Sequence, residues 1–257
     1  MVTLWTPAEP LQLAGPADRK VSFDQVERRI ADCDSMYDGN AAHYYGVGQS
    51  ALTCIDHSLG LAGLSDPASI LDFGGGCGRV TRWLKAAYPH AAITVAERTD
   101  DQLEACRQLF GVETWLSAAP IPELEAPGSY DLIWAGSVLT HLSAADTFNL
   151  LSAFLHWIKP GGMIVVTTHG RRAVRNATSG ALAYIDADLW ADIFADYQKT
   201  GYGYADYTNQ PNYGISLTSL DWIGRLVRNF DDARLITLAE AAWDDHQDIL
   251  ALQARRP

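Results

Sequence analysis

Ile70-Leu71-Asp72-Phe73-Gly74-Gly75-Gly76-Cys77-Gly78-Arg79 decides how the rest of this chain is read. Apolar residues bracket one acid, and glycine then recurs at 74, 76 and 78. An amphipathic stretch follows at once. A buried strand that runs into a bare-backbone turn and opens a helix makes a cradle for a nucleotide-like ligand.

Downstream of that turn, helical and strand periods alternate. A helix is predicted over 79–88 with Val80, Trp83, Leu84 and Ala87 inward, then a strand over 91–96 ending at Glu97. A helix over 100–110 buries Leu103, Cys106, Leu109 and Phe110. A short strand at 112–116, a proline-bounded loop at 120–127 and a strand at 130–135 follow. Ser143 caps a helix running to Ile158, which Lys159-Pro160-Gly161-Gly162 stops. Residues 163–168 form a fifth strand. Five strands alternating with helices predict an α/β fold with a parallel, doubly wound sheet.

The pattern stalls over 171–218, where tyrosines at 184, 197, 202, 204, 207 and 213 stand with Trp190 and Phe194 among glycines and asparagines. This reads as an insertion after strand five, not a regular βα unit. A helix at 219–228 and strands near 233–239 and 248–253 resume the alternation, and Trp243-Asp244-Asp245-His246 is short enough for a hairpin. Upstream, residues 1–20 read as an extended arm with prolines at 7, 10 and 16. Ser22-Phe23-Asp24-Gln25 reads as a capping box that starts a helix to about Tyr37, with Val26 and Ile30 on one face. A second helix is predicted over 42–59, with Gly48, Leu52, Ile55 and Leu59 at helical spacing and an unusual polar-aromatic start, His43-Tyr44-Tyr45. The expected division is an arm with lid helices (1–64), a ligand-binding core (65–170), an aromatic-rich cap (171–218) and a C-terminal helix and hairpin completing the core sheet (219–257).

The bulk numbers agree with one large α/β domain: 257 residues, 48% of them hydrophobic. A formal charge of -12 repels phosphate backbones, and Arg171-Arg172 with Arg175 is the densest basic cluster, so no nucleic-acid partner is expected. Cysteines at 33, 54, 77 and 106 form no CxxC pair, which argues against a disulfide framework or a metal site and fits a reducing cytoplasm. The first residues lack a basic region and a long apolar core, so no signal peptide is read there. No apolar run approaches the ~20 residues of a membrane span. The expected location is cytoplasmic, without a membrane partner; a homodimer is compatible with the sequence.

The ligand can be narrowed. A dinucleotide fingerprint needs a third glycine three residues after Gly76, and that position is Arg79. Asp72 at the strand tip would repel a pyrophosphate but attract an ammonium, directly or through water. Glu97, 19 residues past Gly78, can accept both hydroxyls of a ribose. A ribose, an amino group and no phosphate describe S-adenosylmethionine (SAM). With these residues in place, Asp72–Gly78, Glu97, Tyr130-Asp131-Leu132-Ile133 and Lys159-Pro160-Gly161-Gly162 resemble the ordered motifs of the class I SAM-dependent methyltransferases. Gly136–Leu142 and Thr167-Thr168-His169-Gly170 resemble a bacterial small-molecule subgroup of that family. The resemblance covers about 65–170 strongly and the final hairpin weakly. It implies a Rossmann-like, mostly parallel seven-stranded sheet with an antiparallel last strand. It also implies that the turn Gly74, Gly75, Gly76 and Gly78 cradles the methionine part, and that Glu97, with Arg98 in the same cofactor set, holds the ribose. Leu116 and Ser117 should flank adenine, and Ala135 should approach the methionine moiety. Many relatives carry an acid near the adenine amine where this chain has Leu116-Ser117-Ala118-Ala119.

SAM would donate its methyl group, leaving S-adenosylhomocysteine (SAH), to a small-molecule acceptor at oxygen or nitrogen. The acceptor is expected beyond the carboxyl ends of the strands. His141 and His169 are the base candidates, since histidine needs little tuning near neutral pH. Their structural alternatives are a hydrogen bond that holds the loop before Ser143 and a satisfied residue at a strand end. Tyr44 is expected to cover SAM, and Tyr45, Ser137, Tyr184 and Tyr204 to line the acceptor site; the tyrosines' alternative is packing within the helix layer or the cap. Arg79 reads as a surface ion-pair residue and Cys77 as a small packing residue. Two other functions fit the turn less fully: a SAM- or SAH-binding protein without transferase activity, and a nicotinamide oxidoreductase, against which the Arg79 spacing argues.

Overall fold

The computed structural model describes residues 21–255, so the arm read at 1–20 lies outside the described residues. Seven strands form one sheet in the order β3-β2-β1-β4-β5-β9-β8. β1 (Ser69–Phe73), β2 (Ala92–Glu97), β3 (Glu113–Leu116), β4 (Tyr130–Ala135) and β5 (Ile158–Thr168) pair in parallel. β9 (Gln247–Ala254) returns antiparallel between β5 and β8 (Ala233–Trp243). The sheet is thus the α/β, doubly wound, mostly parallel arrangement that the alternation predicted, with an antiparallel last strand.

The strands are apolar on both faces because helices cover both. Ile70, Leu132, Trp134, Met163 and Val165 join one core, beneath α1 (Ala41–Leu61), α2 (Thr81–Ala87) and α3 (Asp100–Phe110). Their alternating neighbours Leu71, Phe73, Ile133, Ala135, Ile164 and Val166 join the other, with α4 (Ala144–Trp157) and α7 (Leu220–Val227). The period of 2 in each strand sends successive side chains to opposite cores. Switching β1 to the reverse register would carry Asp72 into the second core, so the register is firmly set.

Three expectations change. The capping box at Ser22 and Gln25 forms, but it closes only a 3-10 turn, Phe23–Gln25, and no helix reaches Tyr37. The carbonyls that such a helix would use are taken by side chains from elsewhere. Buried Arg82 donates to the oxygens of Glu27 (2.6 Å) and Arg29 (3.1 Å), and the Tyr45 hydroxyl donates to that of Arg28 (2.7 Å). Tertiary hydrogen bonds override a local pattern here. Second, Lys159-Pro160-Gly161-Gly162 is not a loop beyond a helix. α4 ends at Trp157, Ile158 already pairs with Tyr130, and a register shift absorbs the glycines. Lys159 reaches away from the helix end and donates to Ser69 Oγ and Asp131 Oδ2 at 2.8 and 3.1 Å, tying β5 to the start of β1 and β4.

Third, the insertion has regular structure of its own: α5 (Arg171–Thr178), α6 (Ala187–Thr200) and a separate hairpin of β6 (Tyr202–Tyr207) and β7 (Gln210–Thr218). Its small core is Ala173, Ile193, Ile215 and Leu217, with Tyr184, Trp190, Phe194 and Tyr197 packed against it. Asn209 and Asn212, both at positive φ, shape the hairpin tip. No helix of the described residues is long and apolar enough to cross a membrane.

Candidate functional site

β1 stops at Phe73, and the chain turns back over the sheet edge. The amides of Gly74 and Gly75 both donate to the Ala96 carbonyl, at 2.8 and 3.3 Å. Gly76 N donates to Glu97 Oε2 at 3.0 Å, and Glu97 Oε1 accepts from Arg98 N at 2.7 Å. Backbone therefore fixes both carboxylate oxygens of Glu97, and each keeps a lone pair for another donor. Gly78 (φ +87°) packs against α3: a Cβ there would lie 2.2 Å from the Phe110 ring, so no other residue fits. At Gly76 (φ +55°) the space a Cβ would enter holds no atom within 4 Å, which leaves the backbone bare toward the cavity. Asp72 is buried beneath the turn and accepts from Thr81 Oγ1 at 2.6 Å. Burial pushes its carboxyl up to about 6; the Thr81 hydrogen bond opposes this and the Glu97 charge adds to it.

The turn floors a cavity of about 1010 Å³ at the carboxyl ends of β1, β2, β3 and β4. Asp72, Gly74, Gly75, Gly76, Glu97, Arg98, Ser117, Ser137 and His141 all line it. Three residues contribute a wall that the expected plain helix over 22–37 did not foresee: Asp34, Ser35 and Met36 reach the cavity from the irregular segment 26–40 before α1, called the arm from here on. Asp34 is held in place by the Tyr44 hydroxyl, which donates to Oδ2 at 2.5 Å, while Oδ1 accepts from Met36 N at 3.0 Å. Arg82 Nη2 donates in turn to the Tyr44 hydroxyl at 3.1 Å. Tyr44 itself is buried behind this wall and does not line the cavity. Arg79 does. In place of the expected surface ion pair, its side chain is half-buried at the cavity edge and makes no hydrogen bond or ion pair among the described residues. Burial lowers its pKa, and the charges of Asp34 and Asp244 oppose that shift.

The other side of the cavity is built from side chains distant in sequence. At the tip of β4, Ser137 takes φ +58°, a conformation that is strained for a residue with a side chain. Its amide donates to Thr167 Oγ1 (2.8 Å) and its hydroxyl accepts from Gln247 Nε2 (2.7 Å). His141 closes a 3-10 turn after it, and its Nδ1 lies 2.8 Å from the Gly214 carbonyl of β7. A carbonyl only accepts, so Nδ1 carries the proton and Nε2 keeps its lone pair. Burial lowers the His141 pKa against the opposing pull of that hydrogen bond, so the ring is neutral near pH 7. Tyr213 stacks on it, with centroids 4.8 Å apart and planes 24° apart, and the Tyr207 hydroxyl lies 3.4 Å from Nδ1. Tyr213 and the hairpin tip Gln210, Pro211 and Asn212 line the cavity, as do Asp146 and Trp243. Trp243 stands edge-on to Trp134 and donates its indole N–H to Val47 O at 3.0 Å, which joins α1 to the site.

The remaining expected residues stand elsewhere. Leu116 is 47% exposed, and Ser117, Ala118 and Ala119 line the cavity beyond it. Ala135 is buried in the second core, and its neighbours Trp134 and Gly136 face the cavity. Gly78 supports the turn from the α3 side. Tyr45 packs on Phe23 and holds the arm. His169 is buried away from the cavity, stacked on His246 (5.5 Å, 18°) and edge-on to Tyr184. Burial, with His246 and His141 nearby, drops its pKa to about 3, and its Nδ1 has no hydrogen-bond partner among the described residues. The Tyr184 hydroxyl lies 2.7 Å from His246 Nε2, and Tyr204 donates to Asp206 (2.6 Å) on its own strand. Among the described residues, no group of histidine, cysteine and acidic side chains could hold a metal ion.

A family model for a methyltransferase domain matches residues 71–164, from β1 into β5. The malonyl-[acyl-carrier protein] O-methyltransferase of Laribacter hongkongensis is 28% identical over 146 residues, covering 52% of this chain and 48% of that protein. The trans-aconitate 2-methyltransferase of an Azoarcus species is 27% identical over 152 residues, covering 53% and 59%. The chain thus spans about half the length of the curated relatives it matches. Among solved structures, the plantazolicin methyltransferase BpumL in complex with SAH superposes with a TM-score of 0.58 at 14% identity, over 86% of this chain and 88% of that one, a likeness of fold. The ordered motifs, the seven-stranded sheet and these matches all support the resemblance to the class I SAM-dependent methyltransferases.

Proposed function

We propose that this chain transfers the methyl group of SAM to an oxygen of a small-molecule acceptor. The observation that carries this reading is that one cavity holds the glycine turn and Glu97 on one side and His141 with Tyr213 on the other.

The residues present fit the cofactor. Glu97 has lone pairs for two ribose hydroxyls, and the open space above Gly76 admits a ligand against bare backbone. Asp72 and Asp34 offer carboxylates to an ammonium, and the Arg79 guanidinium offers donors to a carboxylate. Ser117, Ala118 and Ala119 offer small side chains and backbone to adenine. SAM supplies an activated sulfonium methyl, so the protein's work is to align the acceptor, exclude water and remove a proton. His141, which lines the cavity and keeps its Nε2 lone pair, takes that proton. Once charged, the ring keeps its Nδ1–H hydrogen bond to Gly214, which steadies it. His169, buried and partnered by aromatic rings, supports the β8–β9 turn and takes no part. The hairpin tip and the arm exclude water from opposite walls.

An acceptor that needs a base is a hydroxyl, since a neutral amine or a carboxylate is already nucleophilic. The relative from Laribacter is named as an O-methyltransferase, which supports transfer to oxygen. The formal charge of -12 disfavours nucleic acid as the acceptor. The test is a metabolite panel of hydroxyls, amines and carboxylic acids, scored by SAH release. Turnover confined to hydroxyls is expected. SAM binding without turnover on any panel would favour a binding protein.

A further inference from the structure

The arm and the glycine turn meet through sulfur. Cys33 Sγ lies 3.2 Å from Cys77 Sγ, across 44 residues of sequence. Cys77 sits between Gly76 and Gly78 and is only 3% exposed, so the turn's own side chain makes this contact. Cys33 is half-buried and immediately precedes Asp34, Ser35 and Met36, the arm's contribution to the cavity. A third thiol, Cys106, donates to the Gly76 carbonyl at 3.3 Å and braces the turn from α3. Cys54 is remote, donating to Ala242 O. From Val26 to Asn40 the arm has no helix or strand, so moving its sulfur by the ~1 Å that separates this contact from a disulfide of ~2.05 Å disturbs no regular element.

We propose that Cys33 and Cys77 are a redox modification site that takes a hydroperoxide as its two-electron oxidant, and that the disulfide clamps the arm onto the cofactor turn. The Cys33 thiolate attacks the terminal peroxide oxygen. The O–O bond breaks, water or an alcohol leaves, and Cys33 becomes a sulfenic acid. Cys77 sulfur then attacks Cys33 sulfur. The S–O bond breaks, and the hydroxide leaves as water with the Cys77 proton. Two thiols and one hydroperoxide give one disulfide, one alcohol or water, and one water. Cys33 reacts first because it is the more exposed, while burial keeps Cys77 a protonated thiol away from the oxidant; the 3.2 Å contact then presents Cys77 to the Cys33 sulfur.

The effect on the site rests on the SAM reading above. With the arm free, Asp34 to Met36 can part from the turn to admit SAM and release SAH. With the arm bonded to residue 77, both steps slow.

The test uses the full chain, treated with hydrogen peroxide, alkylated, digested and mapped by mass spectrometry. A Cys33–Cys77 linked peptide is expected, reversed by dithiothreitol and absent from Cys33→Ser and Cys33→Ala. Displacement kinetics with SAH should then show release slowed at least about tenfold in the oxidised wild type and unchanged in either variant. Free or over-oxidised Cys33 and Cys77 without the linked peptide would overturn the site. A linked peptide with unchanged SAH release would overturn the clamp. Failure of SAH to bind the reduced protein would instead count against the cofactor reading, while the peptide map still decides the disulfide.

Discussion

The two sides of the cavity are made by different means. The centre of the proposed cofactor side is backbone: amides of Gly74, Gly75 and Gly76, and a carboxylate whose two oxygens are fixed by amides. That centre comes from two short stretches at the ends of adjacent strands, β1 and β2. The acceptor side is side chains from the loop after β4, the inserted hairpin and the β8–β9 turn, joined by contacts such as His141 to Gly214 across 73 residues. A backbone cradle demands a local pattern of glycines and one acid, and fold geometry does the rest. A side-chain wall can be rebuilt by changing an insertion while the sheet stays the same.

That contrast can be broken first at His141. In His141→Ala, kcat on a hydroxyl acceptor should fall by roughly 10²–10⁴ while SAM affinity holds, measured by steady-state SAH release and calorimetry. His169→Phe in the same assay should keep kcat within about threefold, since His169 lies outside the cavity. A loss confined to His169→Phe would invert the assignment.

A crossed pair sharpens the division. Arg79→Ala should weaken SAM binding by about 10- to 100-fold, through loss of a charge-assisted hydrogen bond, without changing the acceptor KM. Tyr213→Ala should raise the acceptor KM by about tenfold and leave SAM binding unchanged. Effects of both variants on both ligands would mean that the cavity is not divided in this way.

The pH dependence is smaller. The Asp72 carboxyl is held up to about 6. An ammonium bound beside it favours the ionised form, so SAM affinity should be full above about 6 and fall by roughly three- to tenfold between pH 7 and 5. Without ligand the sign reverses. The fold binds that proton more tightly than the unfolded chain does, so this group's contribution to stability is full below 3.8 and is lost as pH rises through about 6. His169 acts from the acid side: its depressed pKa means that stability present above 6.5 is lost as pH falls toward about 3. Calorimetric titrations and thermal melts at several pH values separate the three.

The same contrast explains what could be read from sequence. The order of strands, the turn and Glu97 were legible because each is set by neighbours within a few residues. Asp34 to Met36 were hidden by a capping box and an i, i+4 apolar pair that predict a helix; what prevents the helix is Arg82, 53 residues beyond Arg29, taking its carbonyl. Arg79 was read as a surface residue because its burial depends on the arm and on Asp244 in the β8–β9 turn. Tyrosines were expected to line the acceptor site, yet no local pattern distinguishes Tyr213 from Tyr184 or Tyr204. Only the hairpin register, which sets Gly214 opposite Asp206, puts Tyr213 against His141.

The backbone-held carboxylate of Glu97 at the end of β2 is the central element of the proposed site. Calorimetric titration of SAM into the wild-type chain and into Glu97→Ala tests that role directly. Saturable one-to-one binding is expected for the wild type, with affinity weakened about 100-fold in the variant as two hydrogen bonds to a charged acceptor are lost. Equal affinity in the two proteins, or no binding by the wild type, would contradict it.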